Sequence, residues 1–223
     1  MKALRKPLAA SGLLRQLERS SDQRAAHWLR SQFAIHDFED LASLDAPWWS
    51  YRSIDYVEGW LAARPRPVRV FEWGAGASTM WLASRVDELH SIEHDLGFAD
   101  MVRPLIPSHV HLSAIAPTPS ANPVVASLKR GHANLDFTDY VDAIDTTSGP
   151  FDLISIDGRA RVECLLRALE RLKPDGIVVF DNTGRKEYQQ AMEALDVDVI
   201  HLSGWAPALP YPSKTSIVTP RRV

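Results

Sequence analysis

The chain has 223 residues, 45% of them hydrophobic and 24% charged, with a formal net charge of −3 and a single cysteine. That length supports one sizeable core, and the near-average composition excludes a disordered or coiled-coil chain. The lone Cys164 excludes an intramolecular disulfide and a zinc site of several thiolates, and its apolar helical setting makes it a small core residue.

The acidic balance gives no global attraction to polyphosphate, and the basic pairs Lys129-Arg130 and Arg221-Arg222 are short and lack interleaved aromatics. Nucleic acid is therefore not an expected partner. No apolar run approaches the roughly 20 residues of a bilayer span. A membrane is likewise not expected, and the expected location is cytoplasmic.

Residues 1–64 read as a helical extension, with helical spacing over Leu13–Arg19, Ala25–Phe33 and Ser53–Ala63. Pro65-Arg66-Pro67 stops the last of these and marks the junction to a second unit over residues 65–223. From Val68 onward, short β-branched runs alternate with amphipathic segments, the pattern of βα units feeding a doubly wound, mainly parallel sheet. The predicted strands are Val68–Trp73, Glu88–Glu93, Val110–Ala114, Phe151–Ile156, Gly176–Asp181, Val197–Ser203 and Lys214–Thr219. Between the fourth and fifth, Val162, Leu165, Leu166, Leu169 and Leu172 recur at helical spacing over Arg161–Leu172, ending before Pro174-Asp175-Gly176. Gly204 to Pro212 holds three prolines and reads as a loop, which allows an antiparallel final strand.

The most informative segment is the first strand and its turn, Glu72-x-Gly74-x-Gly76-x-Ser78-Thr79. Gly74 and Gly76 permit a sharp turn and close approach of a ligand to the backbone, while Ser78 and Thr79 are placed to cap the next helix. Such a turn also holds dinucleotide pyrophosphates, but a carboxylate at Glu72 would repel a pyrophosphate and suits the ammonium of an amino acid. At the end of the second strand, Glu93-His94-Asp95 places a carboxylate where it accepts ribose hydroxyls.

With these residues the chain resembles the class I S-adenosylmethionine-dependent methyltransferases, from about Asp45 to the C-terminus. It is most similar to bacterial methyltransferase-like proteins that share Pro47-Trp48, Glu72 to Thr79, Glu93 to Asp95, Ile156-Asp157-Gly158-Arg159 and Thr215-Ser216-Ile217. The resemblance implies a seven-stranded sheet with a reversed last strand, and S-adenosylmethionine as cofactor. The cofactor-binding candidates are Glu72, Gly74, Gly76, Ser78, Thr79, Glu93, His94 and Asp157.

Catalytic candidates are Asp157, Arg159 and His94. His94 is a base suited to neutral pH, and Arg159 and Arg161 are donors for a carboxylate or phosphate. Asp157, Asp181 and Asn182, at two neighbouring strand ends, offer three oxygen ligands to a divalent cation such as magnesium. They resemble the metal site of catechol and caffeoyl-coenzyme A type O-methyltransferases, except that Ala160 stands where catechol-type enzymes carry a lysine. Pro47-Trp48-Trp49-Ser50-Tyr51 and Trp73 are candidates for the walls of the cofactor cleft.

The expected activity is methylation of a small molecule or glycan unit, at oxygen. No Asn-Pro-Pro-Tyr stands at Asp181-Asn182-Thr183-Gly184, which disfavours the alternative of nitrogen methylation on a protein or metabolite. A catalytically inactive nucleoside-binding module and a dinucleotide oxidoreductase complete the alternatives.

Overall fold

The computed structural model describes residues 24–34 and 44–221. The predicted helix Leu13–Arg19 lies outside them. Two helices precede the sheet, α1 (Arg24–Ala34) and α2 (Tyr51–Ala62). Ser50 starts α2 by accepting the Ser53 N–H on its hydroxyl, 3.2 Å.

The strands are β1 (Arg69–Trp73), β2 (Glu88–Glu93), β3 (Val110–Ala114), β4 (Phe151–Ile156), β5 (Leu172–Phe180), β6 (Val197–Gly204) and β7 (Ser213–Pro220). They form one sheet in the order β3-β2-β1-β4-β5-β7-β6, parallel except for β7, which runs antiparallel to both neighbours. This is the doubly wound architecture with a reversed last strand that the resemblance implies. The connecting helices are α3 (Ala77–Ala83), α4 (Leu96–Val102), α5 (Thr138–Asp142), α6 (Arg161–Arg171) and α7 (Lys186–Glu193). A short hairpin pairs Thr118 with Asp136 inside the long connection from β3 to α5.

One strand departs from expectation. β5 begins at Leu172 rather than Gly176, because Leu172 pairs with Phe151 before a register shift brings Ile177 opposite Leu153. Pro174 and Asp175 occupy the exposed irregularity, where a missing ladder N–H is tolerated.

The period of two along each strand sorts side chains into two cores. Phe71, Trp73, Ile154, Ile156, Val178 and Phe180 face α5, α6 and α7, packing on Tyr140, Cys164, Leu165 and Tyr188. Val70, Leu153 and Val179 face the other way, against Val57 and Leu61 of α2 and Trp81 and Leu82 of α3. Glu72 shares the Val70 face, so the same alternation that buries β1 drives a carboxylate into the interior under the start of α3. Among the described residues no helix is long and apolar enough to cross a membrane.

Candidate active site

The carboxyl ends of β1, β2, β4 and β5 converge at the edge where ligands bind in sheets of this kind. At the end of β1, Gly74 adopts φ +98°, and a Cβ there would lie 2.7 Å from Gly158 N and 2.8 Å from the Asp157 carbonyl carbon. The glycine is thus needed for contact with the loop after β4, in addition to any ligand. Two backbone bonds fix the junction, Gly74 N–H to Ile92 O at 2.8 Å and Asp157 N–H to Trp73 O at 2.9 Å. Gly76 differs, since a Cβ there would meet only the Phe98 ring at 4.0 Å. Gly76 is the glycine of this turn at which a side chain would find open space.

Glu72 is fully buried and accepts three hydroxyl bonds, from Ser78 at 2.5 Å, Thr79 at 2.5 Å and Ser91 at 2.7 Å. Burial pushes its carboxyl up to about 7, against the pull of the three hydroxyls, and the charge of Asp157 adds to the rise. Thr79 Oγ1 also accepts the Gly76 N–H at 2.8 Å, so a continuous chain links the glycine turn to Glu72. The helix therefore starts from Gly76, with Ser78 and Thr79 in its first turn tied inward to Glu72 rather than serving as its N-cap. Period and loop chemistry identify Glu72, but Ser91 reaches it only through the Glu72 to Ser91 register of β1 and β2.

Glu93 ends β2, almost fully buried. Its Oε1 accepts the N–H groups of His94 and Asp95, both at 2.9 Å, which leaves Oε2 uncommitted among the described residues. His94 Nδ1 lies 2.6 Å from the same Oε1 but off the hydrogen-bond line, and it has no hydrogen-bond partner among the described residues. The His94 ring lies about 6 Å from those of His132, Phe137 and Tyr140.

Asp157 follows β4 and binds Arg161 through Oδ1 at 2.7 Å. Arg161 is buried and donates further to the carbonyls of Asp157 and Asp181 at 2.8 Å and of Gly158 at 3.0 Å. Four of its five N–H donors are spent in tying the loops after β4 and β5 together.

The metal expectation does not fit this donor set. Asp181 is buried with Oδ1 bonded to Thr215 Oγ1 and Oδ2 to the Asn182 amide, both at 2.6 Å, and Arg161 stands 3.8 Å from it. Asn182 thus turns its NH₂ to Asp181, and Asp157 is paired to a cation. Among the described residues, no group of three His, Cys, Asp or Glu side chains is placed to hold a metal ion. Burial, reinforced by Asp157, raises the Asp181 carboxyl to about 7, while Arg161 and the Thr215 hydroxyl pull it down.

The aromatic expectations divide. Trp49 is fully buried against Trp81, and Trp73 turns into the core, donating its indole N–H to Tyr140 O at 2.9 Å. Both are packing residues. Trp48 stays 38% exposed, leaving its indole available at the surface.

The sequence profile of a methyltransferase domain matches residues 71–183, slightly more than half of the chain, running from β1 to just past β5. The chain belongs to the methyltransferase-domain family. Solved structures similar to it share the fold at low identity. A precorrin 8W decarboxylase of Methanobacterium thermoautotrophicum is 17% identical with a TM-score of 0.52, over 79% of this chain and 94% of that one. A methyltransferase-like protein of Silicibacter pomeroyi is 21% identical with a TM-score of 0.50, over 75% and 87%. A candidate methyltransferase of Streptococcus mutans, in complex with SAH, is 11% identical with a TM-score of 0.50, over 75% and 97%. No curated protein sequence matches the chain. Family and fold together make this methyltransferase S-adenosylmethionine-dependent.

Proposed function

We propose that this methyltransferase acts in the cytoplasm on an oxygen of a small-molecule or glycan acceptor. One observation supports the reading above others: the open turn at Gly76 and the uncommitted Oε2 of Glu93 stand at neighbouring strand ends, as a nucleoside carrying an amino-acid tail requires. In this reading Glu93 Oε2 accepts the ribose hydroxyls. Gly74, Gly76, Ser78 and Thr79, held by Glu72, shape the turn around the amino-acid part.

The cofactor supplies an electrophilic methyl group on a sulfonium. Methylation at oxygen forms the O–CH₃ bond as the S–CH₃ bond breaks, and the acceptor proton leaves to a base. His94, with its unpartnered Nδ1 beside Glu93, is that base, while Asp157 and Arg159 orient the acceptor. In this reading the chain divides between residues 64 and 65, with α1 and α2 ahead of a catalytic unit of residues 65–223.

Glu93→Ala should weaken S-adenosylhomocysteine binding by about 1.5–3 kcal/mol, roughly tenfold to a hundredfold by calorimetry. Glu93→Gln retains an oxygen for the His94 and Asp95 N–H groups and changes only the free end, so its loss should be smaller. Wild-type affinity in a folded Glu93→Ala protein would remove the cofactor assignment. Because both Asp181 oxygens are held by Thr215 and Asn182 and Asp157 is paired to Arg161, turnover should be unchanged in excess chelator. Activity lost to chelation and restored by magnesium would return those three residues to a metal role.

A further inference from the structure

Beside the turn at Gly158 lies a cavity of about 460 Å³, over the carboxyl ends of β4 and β5. Its walls carry Lys129 and Arg130 from the long β3 to α5 connection, Arg159 from the loop after β4, and Arg185 from the start of α7. None of these four makes an ion pair among the described residues. The adjacent Arg161, by contrast, pairs with Asp157 at 2.7 Å and stands 3.8 Å from the Asp181 carboxylate. Arg159 donates only a long 3.4 Å bond to its neighbour Gly158 O, and its Nε is buried without a partner.

The cations face one another instead. Arg159 holds the Lys129 ammonium below its usual range, with burial and Arg185 adding to the effect. Burial and the neighbouring Arg161 lower Arg159 in turn, outweighing the pull of Tyr140, Glu93 and Asp157. The one carboxyl in the lining, Glu163, is pushed up by burial, toward its neutral form. In a chain of net charge −3, such a gathering of unpaired cations in one concavity is self-repulsive without a ligand and is relieved by an anion.

We infer that this cavity holds the methyl acceptor by an oxyanion, a phosphoryl or carboxyl group, gripped by Arg159 with Lys129, Arg130 and Arg185 around it. The inference rests on the transferase reading, and it narrows the acceptor to a small anionic molecule. Arg159 lines the cavity, and the preceding Gly158 and Asp157 abut the Gly74 turn, so the cavity adjoins that turn. A planar guanidinium with free donors suits bidentate capture of such a group.

The test is calorimetric titration of the full chain, saturated with S-adenosylhomocysteine, using inorganic phosphate in one arm and malonate in the other. Binding of one anion per chain is expected, and the stronger arm identifies the group as phosphoryl or carboxyl. Arg159→Gln should weaken the anion about tenfold or more, and Lys129→Gln and Arg185→Gln, at exposed positions, by less, with S-adenosylhomocysteine affinity unchanged in all three. Absence of binding by both anions, or undiminished binding in Arg159→Gln, overturns the inference. So does a parallel loss of S-adenosylhomocysteine affinity, which would assign Arg159 to the cofactor's carboxylate. A short single-stranded RNA that binds tighter than either anion and depends on the same residues would replace the small acceptor with nucleic acid. Failure of the wild type to bind S-adenosylhomocysteine would defeat the transferase reading and the acceptor assignment with it, a result separable from loss of anion binding.

Discussion

Gly74→Ala should unfold the nucleotide loop, whereas Gly76→Val should leave the fold intact and lose the cofactor. At Gly74 a methyl group meets backbone atoms of Asp157 and Gly158 at 2.7–2.8 Å, and the φ of +98° is unfavourable for any L side chain. The strained dihedral costs about 1–3 kcal/mol and the overpacking a similar amount. A total near 3 kcal/mol lowers the melting midpoint by about 10 °C in a chain of this size. Gly76 has an extended φ of 164°, and a Cβ there would stand 4.0 Å from the Phe98 ring, so the added Cβ meets no protein atom it must displace. Thermal melts paired with S-adenosylhomocysteine titration separate the two: a large melting shift for Gly74→Ala, and a near-normal melt with at least roughly tenfold weaker binding for Gly76→Val. Wild-type affinity in Gly76→Val would mean that the cofactor does not cross the turn at that residue.

That contrast also marks where the sequence is readable. The glycine turn and the strand ends can be seen from local pattern, since a buried parallel strand reads as a continuous apolar run and its end is punctuated by glycine or acid. β3 and β4 have the expected limits, and β2 does as well. β5 does not, because its first residues pair across a register shift that depends on Phe151, a residue about twenty positions earlier. The functions of the two glycines look identical in one dimension and differ only because the Asp157-Gly158 loop returns to cover one of them.

The same limit explains the site. Asp157, Asp181 and Asn182 look like a cation site when only strand ends are counted. Arg161 occupies the space between the two loops, and its four acceptors come from residues 157, 158 and 181. An arginine at a helix start carries no local sign that it will be buried. The basic cavity is equally hidden, because Lys129 and Arg159 are thirty residues apart and meet only when the β3 to α5 connection folds over the sheet edge.

Glu72 carries the second large expectation, a loss of stability as pH rises toward neutrality. Its carboxyl moves from 4.5 to about 7 on folding, with burial as the main cause, so between those values the native chain holds a proton that the unfolded chain has released. The stabilisation is fully present below about pH 4.5 and is lost as pH climbs through 7. At about 1.4 kcal/mol per unit, the window is worth roughly 3 kcal/mol. Asp181, raised to about 7 by burial and by Asp157, acts with the same sign. Glu88, drawn down to about 2 chiefly by its Arg69 hydrogen bond, acts with the opposite sign but only below pH 4.5, outside this range. His132, lowered by burial, also opposes the trend below its ordinary range, so the wild-type curve alone is a sum. Glu72→Gln isolates the Glu72 share: in denaturant melts the wild type should lose about 3 kcal/mol relative to the variant between about pH 4.5 and pH 8. Glu72→Ala serves as the contrast, since it leaves the hydroxyls of Ser78, Thr79 and Ser91 without their acceptor and should destabilise at every pH. Parallel pH curves for wild type and Glu72→Gln would show that Glu72 is ionised throughout, with the three hydroxyls outweighing burial in setting its charge.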